Sequence, residues 1–331
     1  MGNKATPPRS FNTIRRSQTK ARAQRRRNQA VVLLAALATV ALILLSLLVL
    51  GGFAIANAII NANPPAQNQT PPPTATTNEI QFIQTTKSAD AVHEGVLILV
   101  NNQNEYRFPK YDTDLISIYD NMSKTSQGTE IYHPVYQNFK INKQAFSALD
   151  AMMVQNYEMT GDVIRIADAY RTWEDQEGKN ALPGYSDHHT GYCIAIRHHD
   201  LEGTPIEKNH WIYQNCYKYG FVVRYPEGKG SITGVSDYTF CLRYVGIPHA
   251  TYMYQNNLCM EEYLDLLKNS FSSAATRLTI SAADGFDYDV YYVAASGSDV
   301  TTIDVPTSNF EYTVSGDNRR GFIVTVKKPA A

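Results

Sequence analysis

From Ala30 to Ile60 the chain carries no charged side chain, a run longer than the roughly 20 residues a helix needs to cross a bilayer. The 29 residues ahead of it hold nine Lys or Arg (Lys4, Arg9, Arg15, Arg16, Lys20, Arg22, Arg25, Arg26, Arg27) and no Asp or Glu. Positive flanks stay on the cytoplasmic side, so residues 1–29 are expected inside, 30–60 as a single-pass membrane anchor, and the remainder outside. A cleaved signal peptide is the competing reading. Its apolar core usually spans about 7–15 residues, shorter than this run, and Ala56-Asn57-Ala58 would be the cleavage site. The tail's charges suit anionic lipid head groups, at about 1 kcal/mol each near the surface. Nucleic-acid binding by the tail is the lesser alternative.

Taking those nine charges from the chain's 30 Lys and Arg leaves 21 against 31 Asp and Glu. The outer part is thus acidic and unsuited to phosphate backbones, so no nucleic-acid partner is expected for it. Residues 61–90 open with Pro64, Pro65, Pro71, Pro72 and Pro73 among Asn, Gln and Thr, a composition that favours extended chain over a packed core. We read this segment as a spacer holding the following domain tens of Å from the membrane, at about 3 Å per residue.

Beyond it, apolar patterning predicts a mixed α+β domain over residues 91–270. Gly95 to Asn102 reads as a first strand and Val163 to Ala167 as a core strand. Phe146, Leu149, Met152 and Met153 give Asn142–Asn156 helical spacing. Further helices are expected over Asp175–Lys179, Trp211–Tyr219 and through Tyr263–Leu267, with strands around Val222 and Leu242. From Arg277 the pattern alternates, as in Tyr288 to Val293, and turn signals stand at Ser296-Gly297-Ser298 and Ser315 to Asn318. Residues 271–331 therefore read as a small β appendage. About 60 residues are few for an independent core, so it should pack on the main domain.

Three ordered stretches narrow the reading. They are Ala169-Tyr170-Arg171-Thr172-Trp173-Glu174-Asp175-Gln176, Ser186-Asp187-His188-His189-Thr190-Gly191-Tyr192-Cys193-Ile194-Ala195, and Tyr238 to Gly246. Together they resemble the VanY-like D-alanyl-D-alanine carboxypeptidases, a zinc-peptidase family with a hedgehog-type fold, from about Val92 to Lys268. The resemblance implies that Arg171, Gln176 and Ser186 line a peptide pocket and that His188 is a zinc ligand. It also places Ala195 where the family has an Asp ligand, Tyr238 where it has the Glu general base, and Cys241 where it has a His ligand.

A catalytic zinc keeps three protein ligands and an open water position, and a nearby carboxylate takes the water's proton. Ala195 has no donor atom, and a tyrosine with a reference pKa of about 10 is a poor base. The expected resident cofactor is therefore none, with zinc at low occupancy on His188 and Cys241 as the alternative. Cys193 lies two residues before Ala195, and the strand repeat of about 6.6–6.8 Å would carry its donor well away. His189 should point elsewhere. Asp187 is not a ligand, and Asp237 is one residue off the base position. His198, His199, Asp200 and His249 read as surface polarity. A Cys193–Cys241 disulfide and a pair of buried thiols remain equal readings, and Cys216 and Cys259 show no metal-type spacing.

The expected function is a membrane-anchored, wall-facing protein that binds peptidoglycan stem peptides without cutting them. The alternatives are an active zinc D,D- or L,D-carboxypeptidase with a remodelled site, and a scaffold for a membrane-protein partner that uses its Tyr-rich surface.

Overall fold

The computed structural model describes residues 80–329, except 109–113, 199–203, 237 and 308. The expected tail, membrane span and Pro-rich stretch of the spacer lie outside the described residues, as do Asp237, His199 and Asp200. Among the described residues no helix is long and apolar enough to cross a membrane.

Strand β1 (Phe82–Ser88) comes first, so the last part of the expected spacer is instead a paired strand. Strands β2 (Leu115–Ser117), β3 (Tyr132–Pro134) and β4 (Lys140–Asn142) lead to helix α1 (Lys143–Thr160). Asn142 caps α1 by accepting from the Gln144 N–H, and Gly161 ends it in the left-handed region at φ 75°. Leu149, Met152 and Met153 of α1 pack against Ile166 on β5 (Ile164–Asp168), Ile194 and Ile196 on β6 (Cys193–His198) and Leu242 on β8 (Cys241–Tyr244). Strand β7 (Phe221–Val223) completes a five-stranded sheet ordered β3-β5-β6-β8-β7, in which only β3 and β5 run parallel.

Trp211–Tyr219, expected as one helix, divides into α3 (Trp211–Asn215) and a 3₁₀ turn (Cys216–Tyr219), which Gly220 closes. The short α2 (Trp173–Gln176) precedes it in the chain. After β8 come α4 (Ile247–Gln255) and α5 (Met260–Ser270), then a four-stranded antiparallel sheet ordered β12-β13-β10-β9. Its strands are β9 (Leu278–Ser281), β10 (Asp287–Ala294), β12 (Glu311–Gly316) and β13 (Gly321–Lys327), and β11 (Val300–Pro306) pairs with β1 along all seven residues of each. This C-terminal sheet shares a core with the main domain. Val290, Tyr292 and Ile323 pack in one cluster with Met253, Leu264 and Leu267.

Gly95–Asn102 departs from expectation. Leu97, Ile98, Leu99 and Val100 are buried, yet they belong to no sheet. The backbone is bonded from two sides instead. Arg243 donates to the carbonyls of Val96 and Ile98, and Arg224 to that of Val100. On the other side, the Leu97 N–H donates to the Ser315 hydroxyl, the Leu99 N–H to the Asp317 carbonyl, and the Asn318 amide to the Leu99 carbonyl. Extended alternation is present, but its partners are side chains and a distant turn, which satisfy buried backbone groups as a ladder would.

Candidate active site

Strand β6 presents Cys193, Ala195 and Arg197 on one face by its two-residue period. Cys193 pairs across the sheet with Arg243 and Ala195 with Cys241, so Cys193 and Cys241 are diagonal neighbours with Cα atoms 6.7 Å apart. Their sulfurs are joined in a disulfide. This corrects the expectation that Cys193 would stand well away, because a diagonal neighbour on the next strand is close even where a neighbour along the same strand is not. Cys216 and Cys259 are free and buried elsewhere.

His188 comes from a 3₁₀ turn spanning Asp187–Thr190. Three residues per turn send consecutive side chains in three directions, and each of the first three has its own task. Asp187 points into a fully buried cluster, bonded to Arg224 at 2.9 Å and to Arg243, while Arg224 also grips both carboxylate oxygens of Glu261. His189 bonds through Nδ1 to the Arg171 carbonyl at 2.8 Å and accepts the Gly184 N–H at Nε2. It faces away from the disulfide, as expected. His188 donates from Nδ1 to the Ala169 carbonyl at 2.7 Å, which leaves Nε2 with its lone pair free. That Nε2 is buried with no hydrogen-bond partner among the described residues, and a ring nitrogen of His188 lies within 4.8 Å of both sulfurs. Burial, reinforced by the positive charge of Arg171, lowers the His188 pKa to about 4 and keeps the ring neutral. Gly191 closes the turn at φ +71°, where a Cβ would also come within 2.7 Å of the Leu115 side chain.

The donor set fits a metal in part. Ala195 offers nothing, whereas His188, Cys193 and Cys241 supply one nitrogen and two sulfurs, provided the sulfurs are reduced.

Arg171 and Gln176 meet at the same end of the sheet, but their polar atoms are already engaged. A bulge between Ile166 and Asp168 sets Asp168 opposite Ala195. From there the Asp168 carboxylate takes Nε and Nη2 of Arg171. Arg171 Nη1 donates to the Gln176 side-chain oxygen at 2.8 Å, and the Gln176 amide donates to the Ala181 carbonyl at 2.8 Å. Burial pushes the Asp168 pKa up, but the Arg171 hydrogen bonds and nearby positive charge prevail and hold it below the usual carboxylate range. Ser186 is buried and leads into the turn, its carbonyl accepting the His189 N–H.

Tyr238 packs between Tyr225 and Phe240, with ring centroids at 5.7 and 4.0 Å. Burial raises its pKa above the ordinary tyrosine value, so the hydroxyl keeps its proton. Arg197 stacks over the Phe240 ring and donates to its neighbour's carbonyl, and among the described residues it has no acidic partner. Asp168 is not among the site residues expected from sequence, Cys193 enters there only as a zinc donor set aside and as a disulfide partner of Cys241, and Arg197 is not weighed. The two-residue period running back and forward from Ala195 was the signal for the latter two. Of the remaining histidines, His198 lies beside His210 with ring centroids 6.3 Å apart. His249 is buried between the hydroxyls of Tyr263 and Thr325, which corrects its reading as surface polarity.

The family model of the D-alanyl-D-alanine carboxypeptidases, VanY, matches residues 177–247. A D-alanyl-D-alanine carboxypeptidase of Enterococcus faecium is 32% identical over 252 residues, covering 73% of this chain and 78% of its own length. The chain belongs to the VanY family. A second VanY-type relative, a D-alanyl-D-alanine carboxypeptidase of Enterococcus faecalis, is 31% identical over 204 residues, covering 57% of this chain and 73% of the relative. Among solved structures, the vancomycin resistance D,D-dipeptidase VanXYg, in complex with a D-Ala-D-Ala phosphinate analog, aligns with 75% of this chain and 100% of its own. Its TM-score is 0.63 at 24% identity, a likeness of fold. Within that fold, Ala195 and Cys241 face each other across β6 and β8, and Tyr238 lies just ahead of β8.

Proposed function

We propose that this VanY-family chain is a membrane-anchored, wall-facing protein that holds the D-Ala-terminated stem peptides of peptidoglycan without hydrolysing them. One observation carries the proposal: the residue at the general-base position is Tyr238, and burial keeps its hydroxyl protonated. Loss of a positioned base costs roughly 10²- to 10⁴-fold. The carboxylate nearest in the sheet, Asp168, is held by Arg171 and below the usual pKa range, so it too is a weak proton acceptor. Anchoring rests on the basic tail and the uncharged run from Ala30 to Ile60. Binding is supported by the family and by two cations, Arg171 and Arg197, whose charges both act on Tyr238. Of these, Arg197 is the cation that no acid holds among the described residues, which suits it to a peptide carboxylate.

Titration of the full-length chain with a peptide ending in D-Ala-D-Ala, alongside an assay for released D-alanine, tests the proposal. Binding without release is the expected result. Release at rates ordinary for carboxypeptidases would refute the silent-site reading, and affinity unchanged in both Arg171→Ala and Arg197→Ala would refute the pocket. Restoring Ala195→Asp, Tyr238→Glu and Cys241→His together, with Cys193→Ala to clear the opposing sulfur, should create activity.

A second reading, an active zinc D,D- or L,D-carboxypeptidase, is favoured by the cluster of His188, Cys193 and Cys241. It predicts D-alanine release from the unmodified chain under reducing conditions.

A further inference from the structure

Two features of the His188 neighbourhood are at odds if the disulfide is the whole account. The Ala169 carbonyl fixes the proton on Nδ1, which leaves the bare Nε2 as the nitrogen open to the two sulfurs nearby. A disulfide has no S–H to donate, and Nε2 is accordingly a buried acceptor with no partner. Buried polar atoms are rarely left this way. Carbonyl-oriented histidines are characteristic of metal sites, where the bond from one ring nitrogen to the carbonyl sets the tautomer and directs the other nitrogen at the ion.

We propose that His188, Cys193 and Cys241 form a redox-gated site for a thiophilic divalent cation, filled when the cysteines are reduced and emptied when they join. One imidazole and two thiolates make a Cys₂His set, which leaves a fourth tetrahedral position open. Soft sulfur donors select zinc-like ions over magnesium or calcium. Cys193 thereby replaces the donor that Ala195 lacks, from the same face of β6 and diagonally across from Cys241. Gating follows from the valence of sulfur, because a sulfur bonded to another sulfur is no longer a thiolate ligand. On loading, M²⁺ and two thiols give the dithiolate complex and two protons. On oxidation by a low-molecular-weight disulfide, one cysteine thiolate attacks that disulfide and releases one thiol. The second cysteine then displaces the other, giving the protein disulfide, two reduced thiols and a freed ion. The site does not depend on peptide binding, so it stands or falls apart from the function proposed above.

The test uses the full-length chain with zinc(II) or cobalt(II) as probe. In reductant, about one ion per chain is expected, with a sulfur-to-cobalt charge-transfer band in the near ultraviolet. After treatment with oxidised glutathione, metal and band should both be lost, and the thiols titrated in denaturant should fall from the sequence total of four to two. His188→Gln should abolish stoichiometric metal binding yet still form the disulfide, and Cys193→Ser should abolish both. If Cys193→Ser does not fold, His188→Gln decides the matter. Three results would overturn the proposal: no metal in the reduced protein, equal metal in reduced and oxidised protein, or unchanged metal binding in His188→Gln.

Discussion

Asp168 stands directly across the sheet from Ala195, and its carboxylate is spent on Arg171 rather than turned toward the place that Ala195 leaves vacant. The acid and the cation satisfy each other, so on the proposed function a peptide carboxylate would compete with Asp168 for Arg171. Asp168→Asn should release the guanidinium fork and tighten binding of a D-Ala-terminated peptide about tenfold or more, the scale of one charge-assisted hydrogen bond. Calorimetric titration of the two proteins checks this, and equal or weaker affinity in the variant would show that Arg171 does not reach the ligand.

Asp187 holds two guanidiniums that are themselves fully buried. Removing its charge strands both, and breaking a buried pair from one side costs about 3–5 kcal/mol. Asp187→Asn should therefore lower unfolding stability in denaturant by that order. Lys208→Ala, which breaks an ion pair with both side chains more than half exposed, should stay within about 1 kcal/mol. Similar losses in the two variants would contradict the buried network's place as the brace of the His188 turn.

Acid sensitivity should come from buried neutral histidines. Burial holds His249 to a pKa of about 3 in the fold, against about 6.5 in the unfolded chain. The unfolded state binds the proton first, so the contribution is whole above about pH 6.5 and is eroded as pH falls from there toward 3. His188 acts in the same direction between about 6.5 and 4. Stability measured across this range should slope upward with pH, and His249→Gln should reduce the slope by up to one proton. A slope unchanged in that variant would count against a neutral, buried His249.

Asn318 ties the C-terminal sheet to the main domain. Its amide donates to the carbonyls of Leu99 and Glu105, both at 2.9 Å, and its side-chain oxygen meets His93 at 2.6 Å. Its backbone is left-handed at φ 57°, a conformation Asn tolerates better than Ala. Asn318→Ala should cost about 2–4 kcal/mol through stranded carbonyls and backbone strain together. It should also speed amide exchange in Leu97 to Val100, and protection unchanged there would refute the coupling.

The sequence was most legible where periodicity and motif agreed. Helix α1 announced itself through Leu149, Met152 and Met153, and the β6 and β8 strands through the ordered motifs around His188 and Leu242. Gly95–Asn102 reads as a strand in sequence because its bonding partners, Arg224 and Arg243, lie more than 120 residues away and are side chains. Cys193 looks remote when measured along one strand, whereas the distance that matters runs diagonally to Cys241. Asp168 escaped because only a bulge after Ile166 brings it opposite Ala195, and bulges leave little trace in a single sequence.

The pairing of β1 with β11 gives the fold a mechanical order. Any pull on the chain ahead of Phe82 loads that seven-residue ladder first. The next points of resistance are the clamped Leu97–Val100 segment and the Asp187 cluster behind it. Cys193 and Cys241 lie on β6 and β8, in a different sheet from β1, so peeling that strand away breaks none of the ladder bonds that hold them.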